Sequence, residues 1–212
     1  MKASKALYMI NSGQIEELKL ALQDEIYTES LKKDCDVKKR YAAMKKYFCY
    51  TNSSRKACQK PYKVEYGIIE YTSFCNSYSL VLTTELPGAL ELFDSIHDGT
   101  YPDVTRLINC DGIGHNVDFT KVLAEAKSKG YKLNKSVVND NGYLLHYDGA
   151  YFRMGLLDIT YGIINDGKEA TVYHKEGNSG SPIIIVNELG YAVIMPVRLE
   201  DEPGDDCVVI EV

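Results

Sequence analysis

Gly177-Asn-Ser-Gly-Ser-Pro182 is a loop of glycines and serines that leads into the apolar run Ile183–Val186. Glycines permit a tight turn that presents backbone N–H groups to an oxyanion, and such a turn can expose a hydroxyl, here that of Ser179, as a nucleophile. That chemistry needs an imidazole base and a carboxylate to orient it. The chain has four histidines, His97, His115, His146 and His174, and His115 with Asp158 is the pair whose order ahead of Ser179 would serve. The same letters also make an ordinary hairpin turn, because glycine, serine and asparagine are turn formers.

A second chemistry is electrostatic. The 212-residue chain carries a net charge of −6, which argues against indiscriminate nucleic-acid binding, but the charge is unevenly placed. Between Val37 and Lys60 stand eight basic residues (Lys38, Lys39, Arg40, Lys45, Lys46, Arg55, Lys56, Lys60) and no acid. Between Glu200 and Val212 stand six acids and no base. Such a chain can show a positive face to one partner and repel anions elsewhere. At about 100° per residue, Val37, Tyr41, Met44 and Phe48 form one helical stripe. Lys38, Lys39, Lys45 and Lys46 gather on another side of the same helix, where four ammonium groups can meet phosphates or simply face water.

The elements that would position these residues follow from periodicity. Ala6–Ile10 reads as a short strand. Ile15, Leu18, Leu22 and Ile26 have amphipathic-helix spacing, and the basic helix spans about 37–50. Thr51-Asn-Ser-Ser54 ends it with turn chemistry. Tyr62–Tyr71 and Phe74–Thr84 read as strands, and Pro87-Gly88 and Asp98-Gly99 as turns. Asp118 caps a helix built on Phe119, Val122, Leu123 and Ala126 and stopped by Gly130, with Lys121, Lys127, Lys129 and the single acid Glu125 on its outer side. Lys132–Val138 and Tyr143–Tyr147 read as strands around a turn at Asn139–Gly142. Met154, Leu157, Tyr161 and Ile164 have helical spacing, and Ala170–His174, Ser181–Val186 and Gly190–Val197 close the chain as strands. Helix-then-sheet modules in series predict an α+β fold with helices packed on one side of antiparallel sheets.

Composition sets the bounds. Hydrophobic residues make up 45% of the chain, enough to bury a core. No apolar stretch approaches a membrane span, and the first twenty residues lack the long apolar block of a signal peptide, so the expectation is a soluble cytoplasmic protein. The six cysteines, at 35, 49, 58, 75, 110 and 207, include no C-x-x-C pair, so they read as free thiols with no metal site and no cofactor.

Three segments carry a resemblance. Gly190-Tyr-Ala-Val-Ile-Met-Pro-Val-Arg-Leu199 resembles the C-terminal strand of the bacterial sliding clamp, the β subunit of DNA polymerase III. Asp98-Gly-Thr-Tyr-Pro-Asp-Val-Thr-Arg-Leu107 is similar to the clamp's interdomain connector, and Phe74-Cys-Asn-Ser-Tyr-Ser-Leu-Val81 to its Ala-Thr-Asp-Gly-containing segment. Over about residues 37–199 the resemblance implies a sliding-clamp-like fold of two clamp-like domains, 1–100 and 111–199. Residues 101–110 would be the connector and 200–212 an acidic tail.

The resemblance further implies a processivity factor in DNA replication rather than an enzyme. Lys38, Lys39, Lys45, Lys46, Lys121, Lys127 and Lys129 would meet the phosphates of double-stranded DNA without reading bases. Peptide motifs of a polymerase or clamp loader would enter an apolar cleft. Its walls would be Ser77, Tyr78 and Leu80, then Pro102, Arg106 and Leu107, then Val193, Met195, Pro196, Val197 and Arg198. Several copies would form a ring. Two alternatives stand beside this reading. One is a clamp-fold interaction module that does not encircle DNA. The other rests on Gly177–Pro182, which also resembles the nucleophile loop of trypsin-like and glutamyl-endopeptidase-like serine proteases, with Ser179 as nucleophile.

Overall fold

A computed structural model describes residues 2–30, 35–51, 55–84, 90, 92–94, 99–111, 113–133, 142–199, 203 and 207–212. Among them the chain is α+β, with five α-helices and ten strands. The helices are α1 (Ala3–Asn11), α2 (Ile15–Ser30), α3 (Cys35–Thr51), α4 (Phe119–Ser128) and α5 (Met154–Ile164). The large sheet holds β1 (Tyr62–Tyr66), β2 (Ile69–Cys75), β3 (Ser79–Thr83), β4 (His115–Val117), β7 (Ala170–Tyr173), β8 (Ile183–Asn187) and β9 (Gly190–Ile194), in the order β1-β2-β3-β9-β8-β7-β4. Every neighbouring pair in it is antiparallel. The small sheet joins β5 (Tyr143–Tyr147) and β6 (Ala150–Arg153) as a hairpin, with β10 (Val208–Glu211) parallel to β5.

The large sheet has an internal symmetry of construction. α3 is followed by the meander β1–β2–β3, and α5 by the meander β7–β8–β9. The meanders join at β3–β9, where Leu80 pairs with Val193 and Leu82 with Tyr191. α3 packs on α5 beneath them so closely that a Cβ on Gly162 would stand 3.1 Å from that of Ala43. The sheet therefore runs without a break between strands on either side of the 101–110 segment.

Strand alternation sends successive residues to opposite faces, and the two faces are covered differently. Phe74, Val81, Ala192, Ile194, Ile183, Ile185 and Val172 point to a core filled by α3, α4, α5 and the small sheet. α5 is buried along its length except at Asp158 and Gly162, so packing outweighs the propensity cost of its two glycines. Burial of side chains such as Leu156, Leu157 and Ile163 contributes roughly 1.5–3 kcal/mol each. The other face carries Cys75, Leu80, Val193, Ile184 and Tyr173 in one row across five strands. Among the described residues no α-helix belongs to the cluster on that row. Val104 and Ile108, from the 101–110 segment, pack there instead.

Several predicted elements change on folding. Ala6–Ile10 is helix, not strand. α1 ends in a turn where the Gly13 N–H reaches the Ile10 carbonyl and the Gln14 N–H reaches that of Met9, with Gly13 at φ +75°. Five apolar-rich residues carry no periodicity that separates helix from strand. Tyr62–Tyr71 contains a hairpin turn at Gly67 (φ +66°), and Phe74–Thr84 is broken at Asn76–Tyr78, where the Asn76 side chain accepts from the Tyr78 and Ser79 N–H groups. The acidic C-terminal segment contains β10, whose Ile210 is fully buried. The α4 helix begins and ends as read: the Lys121 N–H donates to the Asp118 carboxylate at 3.1 Å, and Gly130 has φ +98°. The turns at 52–54 and 87–88 and residues 134–138 of the Lys132–Val138 strand lie outside the described residues, as does His97.

Candidate functional site

The first candidate surface lies on the helix side. α3, α4 and α5 meet around a groove of about 550 Å³, lined by Lys39, Arg40 and Lys46 of α3, Thr120 and Lys127 of α4, and Asp158 and Gly162 of α5, with Asp36 at its rim. Lysines from both halves of the chain therefore share one hollow. Lys46 and Lys127 are exposed and form no ion pair among the described residues. Lys38 is exposed on the same helix. Lys39, Lys121 and Lys129 are exposed too, and are held by carboxylates on their own helices: Asp36 at 3.1 Å, Asp118 at 3.1 Å and Glu125 at 2.8 Å. Pairs this exposed exchange readily with solvent and with other anions.

Lys45 and Arg40 leave this pattern. Lys45 turns to α2, where its ammonium lies 3.3 Å from the Asp24 carboxylate and over the Tyr41 ring. Tyr41 also donates to Asp24, and burial together with that carboxylate pushes its hydroxyl pKa well up. Arg40 is only 5% exposed, and its Nε donates to the Ile163 carbonyl at 2.8 Å. Periodicity places Val37, Tyr41, Met44 and Phe48 on one stripe; among the described side chains of α3 the buried ones are Arg40, Tyr41, Met44 and Tyr47, and the Phe48 side chain lies outside the described residues. The Tyr47 hydroxyl donates to the Ser79 carbonyl at 2.9 Å, a use that no periodicity signals.

The second candidate surface lies on the opposite face, where the 101–110 segment crosses the sheet. Tyr101 stacks on Tyr62 at the β1 edge, and its hydroxyl meets that of Ser73 at 3.2 Å. Val104 and Ile108 seat the segment over Leu80, Val193 and Ile184. Leu107 then reaches a groove of about 340 Å³ shared with Asn109, Asp111, Tyr173, His174, Pro182 and Ile184. β9 thus lies beneath the 101–110 segment. Leu80 and Val193 are core beneath it, at 2% and 1% exposure.

The other residues read from sequence as the cleft lie around these. The Met195 N–H donates to the Tyr78 carbonyl at 2.9 Å, which extends the β3–β9 ladder, and Met195 and Pro196 are half-buried. Ser77 is exposed at φ +72°, and Tyr78 is exposed beside it. The Val197 N–H donates to the Tyr151 carbonyl at 2.7 Å, tying the strand to the small sheet. Pro102 is exposed near the β1 edge, Arg198 is exposed beyond β9, and Arg106 pairs with Asp103 at 2.7 Å. Leu107 lies 44% exposed, so this groove has an open apolar wall.

The Gly177–Pro182 loop borders the same groove. His115 is exposed on β4 and is not hydrogen-bonded to Asp158, which accepts from Tyr131 at 3.2 Å. Among the described residues the His–carboxylate pairs are His146 with Glu211 at 2.6 Å and His174 with Asp148 at 2.8 Å. His174 is the one beside the loop. Its Nδ1 faces Asp148, and its Nε2 faces the backbone carbonyl of Ser181 at 3.2 Å, so neither nitrogen is turned to a serine hydroxyl. The ring, walled by Tyr147 and Phe152, holds the loop in place.

Among the described residues no group of three or more His, Cys, Asp or Glu side chains is arranged to hold a metal ion. Among them, too, no helix is long and apolar enough to cross a membrane. In comparisons with protein-family models, curated protein sequences and solved structures, none matches this chain.

Proposed function

We propose that this chain is a cytoplasmic sliding-clamp-like accessory factor. Its helix side binds duplex DNA through phosphates, and its connector side docks an apolar peptide of a replication partner. The observation that carries the reading is the groove where Lys39 and Lys46 of α3 meet Lys127 of α4, on the face opposite the 101–110 segment. Cations contributed by separate elements to one hollow suit a polyanion, which such side chains would hold by charge at its phosphates. An excess of acid elsewhere disfavours other docking modes. The two-sided layout supports the reading as well: helices on the face offered to DNA, sheet and connector on the face offered to protein. Asp36 and Asp158 in the groove weaken its potential and set a modest affinity.

Anisotropy titration of labelled duplex DNA at several salt concentrations tests this. Binding should weaken with salt, and Lys46→Glu with Lys127→Glu should lower the slope of log K against log salt by about 0.9 per lost phosphate contact. Salt-independent binding, or unchanged binding by the double variant, would remove the DNA face. Assembly of several copies into a ring is part of the proposal. A strict monomer at high micromolar concentration in sedimentation would leave the interaction module in place of the ring.

A further inference from the structure

Among the described residues the large sheet has two edge strands, β1 and β4, and they differ. β4 is three residues long, and a short edge is one way a fold avoids pairing with another chain. β1 is five residues long, Tyr62-Lys63-Val64-Glu65-Tyr66, and pairs on one side with β2. Its hairpin turns on Gly67 and Ile68, with Tyr66 opposite Ile69. After a two-residue turn the closing pair is hydrogen-bonded, and bonded pairs then alternate along the ladder. Tyr62, Val64 and Tyr66 thus turn their backbone N–H and C=O groups to β2, whereas Lys63 and Glu65 turn theirs outward. Pro61 keeps this order: its carbonyl faces outward and accepts from the Phe93 N–H at 2.7 Å. Among the described residues nothing pairs with the outward groups of Lys63 and Glu65.

The side chains beside these open groups carry opposite charges. Glu65 stands directly opposite Glu70 on β2, a like-charge pair that costs stability, and Lys63 reaches diagonally to Glu70 at 2.9 Å. Glu65 itself makes no ion pair among the described residues. We propose that β1 is the edge through which two copies of this chain pair, antiparallel about Val64, so that their large sheets become one. In that register Lys63 of each copy lies opposite Glu65 of the other, Val64 opposite Val64, and Tyr62 opposite Tyr66. The residues that exchange backbone hydrogen bonds are then Lys63 and Glu65, whose groups point outward, and each such pair exchanges two bonds. The occupant is a second copy because the strand is complementary to itself, as a two-fold contact requires, and because that copy brings Glu65 the cation its own chain does not supply. Phe93 packs on Tyr62 and covers the Pro61 end of the edge, which confines the contact to β1 and makes the dimer weak and concentration-dependent. The contact closes on two copies, so a larger ring would need a second interface. The inference does not rest on DNA or peptide binding.

Sedimentation equilibrium of the full chain from low to high micromolar concentration, with amide hydrogen exchange at both ends of that range, tests this. The chain should pass from monomer to dimer. The Lys63 and Glu65 amides should gain protection as it does, while the Val64 amide, bonded to β2 in either state, should not change. Glu65→Lys and Lys63→Glu should each weaken dimerisation about tenfold or more, since each replacement makes two symmetry-related pairs repulsive. Glu65→Lys should keep the fold, because it relieves the repulsion from Glu70. Mixed together, the two variants should recover a dimer of one copy of each, in which every Lys63–Glu65 position again holds opposite charges. A monomer throughout overturns the proposal, and so does a dimer that ignores both charge reversals. Protection of those amides only when an unrelated extended peptide is added would give the edge to a different partner and overturn it as well.

Discussion

Arg40 and Ile163 are joined across 123 positions of sequence by a 2.8 Å hydrogen bond from the guanidinium Nε to the backbone carbonyl. Ile163 lies in the last turn of α5, where carbonyls have no helical partner. The next carbonyl, that of Ile164, accepts from the Asn187 side chain at 2.6 Å. The end of the central helix is thus closed by one residue from α3 and one from β8, which fixes the helix against both halves of the sheet.

Arg40→Met should therefore destabilise the protein by about 1.5–3 kcal/mol, because it removes a charged donor and leaves a buried carbonyl unpaired. Asn187→Ala should cost about 0.5–1.5 kcal/mol for the neutral bond. Urea unfolding measures both. An Arg40→Met variant with a wild-type midpoint would show that the carbonyl finds another partner.

Gly190 should not tolerate a side chain. It opens β9 at φ +144°, and a Cβ there would stand 1.9 Å from the Leu82 carbonyl oxygen on β3. Because β3–β9 is the junction of the two meanders, Gly190→Ala should open the sheet at its centre and cost more than the usual overpacking penalty of about 1–3 kcal/mol. Hydrogen exchange should show lost protection on β3 and β9 before β1.

Asp118 makes the stability pH-dependent in a defined direction. The Lys121 side chain, together with the Lys121 N–H, holds its carboxyl below the ordinary range. A depressed folded pKa means stabilisation that is present above the unfolded value and fades as pH falls from about 4 through the folded value. Asp118→Ala should lower the thermal midpoint at neutral pH by more than at about pH 2, where only the neutral cap is lost. Asp118→Asn, which keeps an acceptor for the N-cap, should give a midpoint whose offset from Asp118→Ala does not vary with pH. An Asp118→Ala deficit of the same size at neutral and acid pH would remove the charge on Asp118 as its cause.

For the connector groove, Leu107→Asp should weaken binding of a labelled polymerase C-terminal peptide about tenfold or more, as expected for loss of one buried apolar contact. Leu107 is exposed, so the fold should keep its midpoint. Met195→Asp is the paired variant on the sheet side. Unchanged affinity in both would place the peptide elsewhere.

What the sequence determined by itself is local. Asp118 and Gly130 bracket α4 because an N-cap carboxylate and a positive-φ glycine act on their own helix. The β-branched runs at 170–174, 183–186 and 190–194 specify strands because alternation is a two-residue property. The basic stretch of α3 was legible as charge, and Lys39, Lys46 and Lys127 do share a groove.

What only tertiary structure decided is which long-range partner each residue has. Periodicity cannot tell that Lys45 turns to Asp24 while Lys46 faces the groove, since the two are neighbours on one helix and differ only in what packs beside them. It cannot tell that Arg40 is buried rather than basic surface, because its carbonyl partner is brought by α5. His174 rather than His115 meets a carboxylate because the hairpin at Asp148 and the end of β7 converge only when the two sheets share a core. Short-range order follows from each residue's own backbone and side chain; partners far along the chain are selected by how sheets and helices stack, and that is fixed by the burial of the whole.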